Sequence, residues 1–420
     1  MNFDIDATEL AIVDSAERVC RDVLAANAQR YDEEEVFCAE SLQALGELGF
    51  MGINLPETYG GFGIGSLAMS RVVEAVSAAC ASTASALTAH FLATDSILIG
   101  GTEEQRQEWL PRCASGELLG AFGLTEPAAG SNPADMRTRA VRETGGWRIR
   151  GSKHYITNAR EADFIVLYAK TDPEAGARGI SAFLIPKGTA GVTFANPEKT
   201  MGLRGSTIYE LALDCWLPAD ALLGEENQGF RTAMEVLDRG RVEVAAMSLG
   251  IARAAMEYAL KWVDERQIGT KPLSAYQGTQ WRIADMHAQF QAARCLPSRP
   301  PRGVTAASAS ASSRRPPNCS PPRPAASSPT PRCNCTAVTA TSATCRWSAS
   351  CATRESCGSS REPPRCRRSS SPAPCWMPPA IDGRYGAASA AAPANQETLC
   401  ITTTARLGER PAARRTLHGW

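Results

Sequence analysis

Residues 122–132 have the sequence FGLTEPAAGSN and follow closely on the point, near residue 118, where the pattern of the chain changes. Upstream of that point, apolar residues recur at the spacing of an α-helix. Downstream, short β-type runs at 164–168, 182–185 and 192–194 are separated by turn residues. The small residues of this loop would let backbone approach a ligand, and its N–H groups and hydroxyls could hold a phosphate or a heteroaromatic edge. A plain polar connector is the other interpretation.

The elements around the loop follow the order α, then β, then α. Residues 137–158 predict a hairpin that turns at 143–146. Helical periodicity covers residues 5–117, and the individual helices are predicted near 66–80, 83–100, 103–116, 231–266 and 274–294. This order indicates an α+β fold in which a small all-β domain lies between two helical parts.

A second candidate motif is KHYITN at 153–158. Tyr155 and Thr157 are two residues apart, so a strand would carry both side chains on one face. An aromatic ring beside a hydroxyl suits a stacked ring cofactor, and an ordinary strand face is the alternative. His154 is expected on the other face, as a surface residue.

Two charged motifs in the C-terminal helices are further candidates. DRGR at 238–241 is either a polar anchor for a ligand head group or a solvated charge run. Arg266 ends the long predicted helix, with Gln277 eleven residues later. An isolated arginine in that position commonly just complements the helix dipole.

The net charge of zero combines two opposite segments. Residues 1–294 contain 27 Lys and Arg against 39 Asp and Glu, a net charge of −12, whereas residues 295–420 contain 17 Arg, no Lys and 5 acidic residues, a net charge of +12. The second segment also holds 10 of the 15 cysteines and 18 of the 27 prolines, and it has few aliphatic residues. It is therefore expected to be disordered.

Three explanations of residues 295–420 are open. A basic arm could bind nucleic acid, the cysteines could form a disulfide or zinc framework, or the segment could be translated out of frame. The segment has no CxxC pair, and only His418 could supply an imidazole, which argues against a metal. No run of about 20 apolar residues predicts a membrane span. The acidic N-terminus is unlike a signal peptide, so a cytoplasmic protein is expected.

Together the motifs of residues 1–294 resemble the acyl-CoA dehydrogenase family. The matching stretches, in the family's order and spacing, are LPETYGG at 55–61, FGLTEPAAGSN at 122–132, KHYITNA at 153–159, MGLRGSTIYEL at 201–211, LLGEENQGF at 222–230, LDRGR at 237–241, ER at 265–266 and YQ at 276–277. The resemblance implies a helical N-terminal domain, a β-barrel-like middle domain, and a C-terminal helical bundle cut after its second helix, followed by a disordered, out-of-frame tail. The corresponding ranges are 1–117, 118–226, 227–294 and 295–420.

The resemblance also implies bound FAD and the residues that contact it. Leu124 and Thr125 would lie near the pyrimidine edge of the flavin, and Tyr155 would stand beside the isoalloxazine where the family usually has Trp. Residues 268–270, Ile-Gly-Thr, depart from the aromatic-glycine pattern of the family. The implied cofactor-binding residues are Phe122, Gly123, Leu124, Thr125, Gly130, Ser131, Tyr155, Ile156, Thr157, Arg266 and Gln277. The implied substrate-binding residues are Ser131, Asp238 and Arg241, and no metal is expected.

The implied reaction is the α,β-dehydrogenation of a fatty acyl-CoA thioester to the trans-2-enoyl-CoA, as in fatty acid β-oxidation. A carboxylate would remove the α-proton while the β-hydrogen leaves as hydride to the flavin. The implied partners are electron-transferring flavoprotein and three further copies of the chain, in a homotetramer. Nucleic acid is not expected as a partner. An acyl-CoA oxidase and a non-catalytic flavin- or CoA-binding remnant are the alternatives.

The carboxylate base of this reaction is missing from the printed chain. The family's usual Glu-Gly-Thr motif near the C-terminus does not occur. Some members carry the glutamate one residue before the arginine equivalent to Arg241, where this chain has Gly240. No catalytic residue is therefore in frame, and the printed chain is expected to fold poorly, to bind FAD weakly and to be inactive.

A shifted reading of the tail supplies the missing motifs. Reading the last base of each codon with the first two bases of the next permits Leu-Gln-Leu-His-Gly-Gly-Tyr-Gly-Tyr from Arg332 to Thr341. From Cys357 to Cys366 it permits Arg-Ile-Phe-Glu-Gly-Thr-Ser-Glu-Met. These are C-terminal motifs of the family, in order, and the glutamate codon straddles Ser360 and Arg361. The sequence therefore indicates one frameshift near residues 294–300, either genuine or from sequencing.

Overall fold

Six helices form the first part of the chain. The computed structural model describes residues 5–295. The helices are α1 (Ala7–Val19), α2 (Ala25–Glu34), α3 (Ala39–Glu47), α4 (Ser66–Ala79), α5 (Ala81–Gly100) and α6 (Glu103–Ala114), with a π-helical segment at Cys20–Leu24 between α1 and α2. Capping boxes begin two of them: Asp6 with Glu9 at α1 and Thr102 with Gln105 at α6. Helix α5 has no exposed polar face and is buried over most of its length, so it forms the centre of this part.

A seven-stranded sheet follows. Its strands are β1 (Gly120–Gly123), β2 (Arg139–Glu143), β3 (Gly146–Thr157), β4 (Phe164–Lys170), β5 (Ile180–Pro186), β6 (Val192–Phe194) and β7 (Ile208–Pro218). The order across the sheet is β1-β4-β2-β3-β7-β6, and β5, outside this path, pairs antiparallel with β4. The predicted hairpin is confirmed as β2 and β3, and the three predicted strands are β4, β5 and β6. Strands β1 and β7 were not predicted.

Two helices complete the described chain. Helix α7 spans Gly229–Glu265 and α8 spans Gln277–Arg294, with a two-residue strand pair, β8 (Gln267–Ile268) and β9 (Lys271–Pro272), between them. The buried stripe of α7 packs on α4 and α5. Three aromatic side chains of α7 and α8 are exposed: Tyr258 by 61%, Trp262 by 39% and Trp281 by 70%.

Close packing at two glycines fixes how α7 lies on the other helices. A Cβ at Gly250 would approach the carbonyl oxygen of Glu74 in α4 to 2.3 Å. A Cβ at Gly240 would approach Cδ2 of Leu92 in α5 to 2.6 Å. Any larger residue would force the helices or side chains apart, because real Cβ atoms do not make such contacts. None of the helices in residues 5–295 is both long enough and apolar enough to cross a membrane.

Candidate functional site

The predicted ligand loop leaves the sheet at the end of β1. Phe122 and Gly123 are the last residues of that strand, and Gly120 at its start donates its N–H to Nδ1 of buried His90 in α5 at 2.9 Å. Phe122 packs against Tyr168 of β4, with ring centroids 5.2 Å apart. The loop is thus attached to the helical part through β1.

Beyond β1 the loop turns outward. Leu124 is buried, whereas Gly130 and Ser131 are exposed, and nothing lies within 4 Å of a Cβ placed on Gly130. Glu126 and Ala129 each donate their backbone N–H to the other's carbonyl oxygen at 3.1 Å, which closes a tight turn. The 122–131 segment therefore has a buried first half and an open second half.

A buried ion pair connects the loop with β3. Lys153 is fully buried, and its Nζ lies 2.8 Å from Oε1 of Glu126 and donates to the carbonyl oxygen of Leu124 at 3.1 Å. Glu126 also accepts the backbone N–H groups of Arg137, at 2.5 Å, and Thr138, at 3.0 Å. Neither charged residue was predicted as a site residue. For Lys153, the alternation of β3 could have predicted burial. Trp147, Ile149 and Lys153 all fall at odd-numbered positions, and all three are buried.

The charges of this pair are set by their burial and by each other. Burial lowers the pKa of Lys153 to about 8, against the opposing charge of Glu126. Burial disfavours ionisation of Glu126, but the charge of Lys153 and the hydrogen bond from Arg137 outweigh it and lower the pKa of that carboxyl. Both groups are charged near neutral pH, which is the form in which each satisfies the other.

Tyr155 has an unusual backbone conformation next to this pair. The pairing of β3 with β7 shifts between Lys153 and Ile156, and Tyr155 adopts φ +58°. A left-handed conformation at a bulky residue is rare and costs about 1–3 kcal/mol, and such strain concentrates at functional sites. The ring is 62% exposed, while Ile156 is buried and Thr157 is half-buried. Sequence alternation predicted a regular strand face here and missed the bulge.

His154 is not the surface residue that was expected. Its side chain is only 18% exposed and lies within 3.5 Å of Glu198 and 3.6 Å of Glu210. Its ring meets that of Tyr155 edge to face, with centroids 4.0 Å apart. Its backbone N–H donates to the carbonyl oxygen of Thr125 at 2.9 Å. His154 is therefore half-buried against Tyr155 and two glutamates, and its N–H joins the two predicted cofactor motifs through the backbone.

The substrate-binding candidates on α7 bind each other. Arg241 donates from Nη1 to Oδ1 of Asp238, and Asp238 is exposed. Gly240, at the position of the alternative catalytic glutamate, lies between them and faces Leu92 of α5. The 238–241 motif is thus an ion pair near the surface with a buried glycine between its members.

A polar cluster that the sequence did not reveal lies beside this motif, where α7 packs on α5. Asp95 of α5 is 1% exposed, and its Oδ1 accepts from Nη1 of Arg239 at 2.7 Å and from Nδ2 of Asn54 at 2.9 Å. Glu243, one turn after Arg239, is 1% exposed, and neither of its oxygens has a partner among the described residues. Burial, reinforced by the charge of Asp95, raises the pKa of Glu243 well above its ordinary value.

Replacing Glu243 by Met is expected to stabilise the protein. A buried carboxyl without partners costs about 1–3 kcal/mol, and Met fills a similar volume without a polar group. Because the pKa of Glu243 is raised in the folded state, its contribution to stability is fully present below pH 4.5 and is lost as pH rises toward the folded pKa. The gain of Glu243→Met in urea unfolding should therefore be larger at pH 8 than at pH 5. An equal gain at both pH values would show that Glu243 does not titrate in this range.

The remaining predicted residues lie at the far end of α7. Arg266 caps that helix and Gln277 begins α8, and both are exposed. Among residues 5–295, neither side chain forms a hydrogen bond with the 122–131 loop. No group of three or more His, Cys, Asp or Glu side chains in the same range could hold a metal ion. The inferred base at Ser360 and Arg361 lies outside the described residues.

Three domain models match the chain in sequence order: the acyl-CoA dehydrogenase N-terminal domain at residues 6–117, the middle domain at 121–215 and the C-terminal domain at 227–304. An acryloyl-CoA reductase (NADH) from Anaerotignum propionicum is 38% identical over 299 residues, which cover 70% of this chain and 76% of that protein.

Two solved structures have the same fold. Butyryl-CoA dehydrogenase from Megasphaera elsdenii matches with a TM-score of 0.69 and 36% identity over 71% of this chain and 79% of that one. A glutaryl-CoA dehydrogenase from Mycobacterium smegmatis, in complex with FADH2, matches with a TM-score of 0.65 and 33% identity over 70% and 75%. The chain belongs to the acyl-CoA dehydrogenase family.

Proposed function

We propose that the gene encodes an FAD-dependent acyl-CoA dehydrogenase, an oxidoreductase that converts an acyl-CoA thioester to the trans-2-enoyl-CoA. The observation that supports this most strongly is the joining of two motifs far apart in sequence. The 122–131 loop and the strained, exposed Tyr155 are held together by the Glu126–Lys153 pair, within a chain of this family.

The residues of this region fit FAD. Tyr155 presents an exposed ring against which a flat heteroaromatic group could stack. The space above Gly130 is open, and the next residue, Ser131, is exposed. When bound, FAD supplies an acceptor for the hydride that leaves the β-carbon. Phe122, Gly123, Leu124, Ile156 and Thr157 complete the proposed contact set from the same chain.

The substrate would lie toward α7. Asp238 and Arg241 now satisfy each other, so a CoA head group would have to compete for the arginine. Ser131, exposed at the open end of the loop, is the proposed third contact. The chain's own contribution is to orient the thioester and exclude water, since an α-proton becomes acidic enough only in a dry, hydrogen-bonded site.

The assembly and the domain boundaries are part of the same proposal. Arg266 and Gln277 are exposed and distant in sequence from the loop, which is consistent with contact to FAD bound in another copy of the chain in a homotetramer. Electron-transferring flavoprotein is the proposed electron acceptor. The proposed divisions at residues 117 and 226 are supported by the change of element type and by the domain matches that end at 117 and begin at 227, and the proposed division at 294 is supported by the end of helix α8.

The printed chain itself is proposed to be inactive. Its α7 carries Gly240 where some members carry the glutamate, and the other motif is absent from the printed frame. A non-catalytic flavin- or CoA-binding protein is therefore the second candidate for this exact chain, and the glycine is the observation that favours it.

The test uses the protein with its reading frame restored. It is mixed without oxygen with butyryl-CoA, and the visible absorbance of the flavin is followed before and after adding electron-transferring flavoprotein, oxygen or NAD⁺. A dehydrogenase should be bleached by the thioester and reoxidised fastest by the flavoprotein. Fastest reoxidation by oxygen would identify an oxidase, and by NAD⁺ a reductase-type enzyme. No bleaching would contradict the proposal.

A further inference from the structure

The Glu126–Lys153 pair occupies a position where an ion pair is costly. Lys153 is 0% exposed and Glu126 5%. Buried pairs often contribute nothing to stability relative to apolar residues of the same volume, because both charges lose their hydration. Its presence therefore needs an explanation other than the stability of the sheet.

The hydrogen bonds of the pair all lead to one segment. Glu126 accepts from Arg137 and Thr138, so it closes the segment 126–138 on itself. Lys153 holds Leu124 at the start of the same segment. Thr138 in turn donates from Oγ1 to the carbonyl oxygen of Ser152 at 3.2 Å. One carboxylate and one ammonium thus attach both ends of the loop to β3.

The point of attachment on β3 is directly before the bulge. Lys153 is the last residue of the regular pairing with β7, and Tyr155 follows two residues later in its left-handed conformation. The N–H of His154 between them is bonded to Thr125 of the loop. The position of the Tyr155 ring relative to the loop is consequently determined by the pair and this backbone bond.

We propose that Glu126 and Lys153 are positioning residues that order the 122–138 segment against Tyr155 before any cofactor binds. The role of this ordering in cofactor binding rests on the proposed flavin function, but the ordering of the segment can be measured in the chain without any cofactor. Pre-ordering strengthens binding because the loop loses less conformational entropy when the ligand arrives. A pair that served only to stabilise the sheet would instead affect all strands alike.

The experiment compares Lys153→Met and Glu126→Gln with the unchanged 420-residue chain. The matched control is Arg148→Met, which removes another basic residue of β3 whose partner, Asp214, is exposed. Amide hydrogen exchange is measured for peptides from 122–138 and from strand β4 at 164–170, and FAD affinity is measured by quenching of flavin fluorescence. Glu126→Gln keeps one of the two acceptor oxygens that the backbone N–H groups of Arg137 and Thr138 use, and it remains informative if Lys153→Met does not fold.

We expect the rate of amide hydrogen exchange in 122–138 to rise at least about tenfold in Lys153→Met and by a smaller factor in Glu126→Gln, with exchange in β4 unchanged. A tenfold rise corresponds to a decrease of about 1.4 kcal/mol in the free energy of local opening. The dissociation constant for FAD should rise by a similar factor, and Arg148→Met should change neither. Equal acceleration in β4, or an unchanged loop in both variants, would overturn the inference. Absence of FAD binding in the frame-restored protein would count against the proposed function, while the exchange data on the 420-residue chain would still decide the ordering.

Discussion

Restoring the reading frame is expected to raise the rate at which butyryl-CoA reduces bound flavin by about 10²–10⁴-fold, the usual contribution of a general base. The printed chain has Gly240 on α7 and no Glu-Gly-Thr motif, so no carboxylate stands at either position that the family uses. Stopped-flow absorbance of the two proteins, loaded with FAD to the same occupancy, checks this directly.

Two controls keep that comparison interpretable. The first is a frame-restored variant in which the recovered glutamate is changed to Gln. It should bind FAD as its parent does, but its rate of flavin reduction by butyryl-CoA should fall back to that of the printed chain. The second is the FAD content of the printed chain, which is expected to be low. Rapid flavin reduction by the printed chain would contradict the missing-base account.

Supplying a base on α7 is the second change with a large expected effect. Gly240→Glu alone should destabilise the protein by about 1–3 kcal/mol through overpacking, because its Cβ would come within 2.6 Å of Leu92 Cδ2. Combined with Leu92→Ala, it should place a carboxylate between α5 and α7 and raise flavin reduction in the 420-residue chain at least about 100-fold. Stopped-flow absorbance with butyryl-CoA measures the rate.

The matched control for this gain is Gly240→Gln with Leu92→Ala. It has the same shape and packing but cannot accept the proton. Equal rates of flavin reduction for the Glu and Gln variants would show that the gain comes from the change in packing between α5 and α7 rather than from a catalytic base. A folded Glu variant that binds FAD and remains as slow as its parent would show that α7 cannot present a base in this chain.

The order of elements and most of their positions were predictable because local periodicity determines them. Helices α4 to α8 and the β2–β3 hairpin occur where spacing and turn residues predicted them. Strands β1 and β7 were not predicted. β1 is short and glycine-containing, so its sequence carries little strand signal. β7, which lies between β3 and β6, alternates buried and exposed residues, and this alternation could have predicted it.

The candidate site was predictable as a set of motifs but not as a geometry. Nothing local in KHYITN indicates that Tyr155 takes a positive φ, because the bulge results from pairing with β7. The ion-pair partner of Lys153, Glu126, is 27 residues away in sequence, and the Glu243 carboxyl has no hydrogen-bond partner among residues 5–295. Burial of a charge is a tertiary property, so composition and spacing could not reveal it.

The charge split indicated the boundary near residue 294 from composition alone. The match to the C-terminal domain model ends at residue 304, shortly after the point inferred for the frameshift. Everything inferred for the tail is a statement about codons, and it lies outside the described residues. It can therefore be tested without any protein.

The DNA sequence of the gene over codons 290–375 tests the central claim most directly. If the base of an acyl-CoA dehydrogenase lies in the shifted frame, Ser360, Arg361 and Glu362 must be encoded by TCG, AGG and GAA, because only these give Glu, Gly and Thr across their boundaries. The other motifs must appear in the same frame, and restoring them must require one additional base near codons 294–300. Any other bases at codons 360–362 would contradict the account.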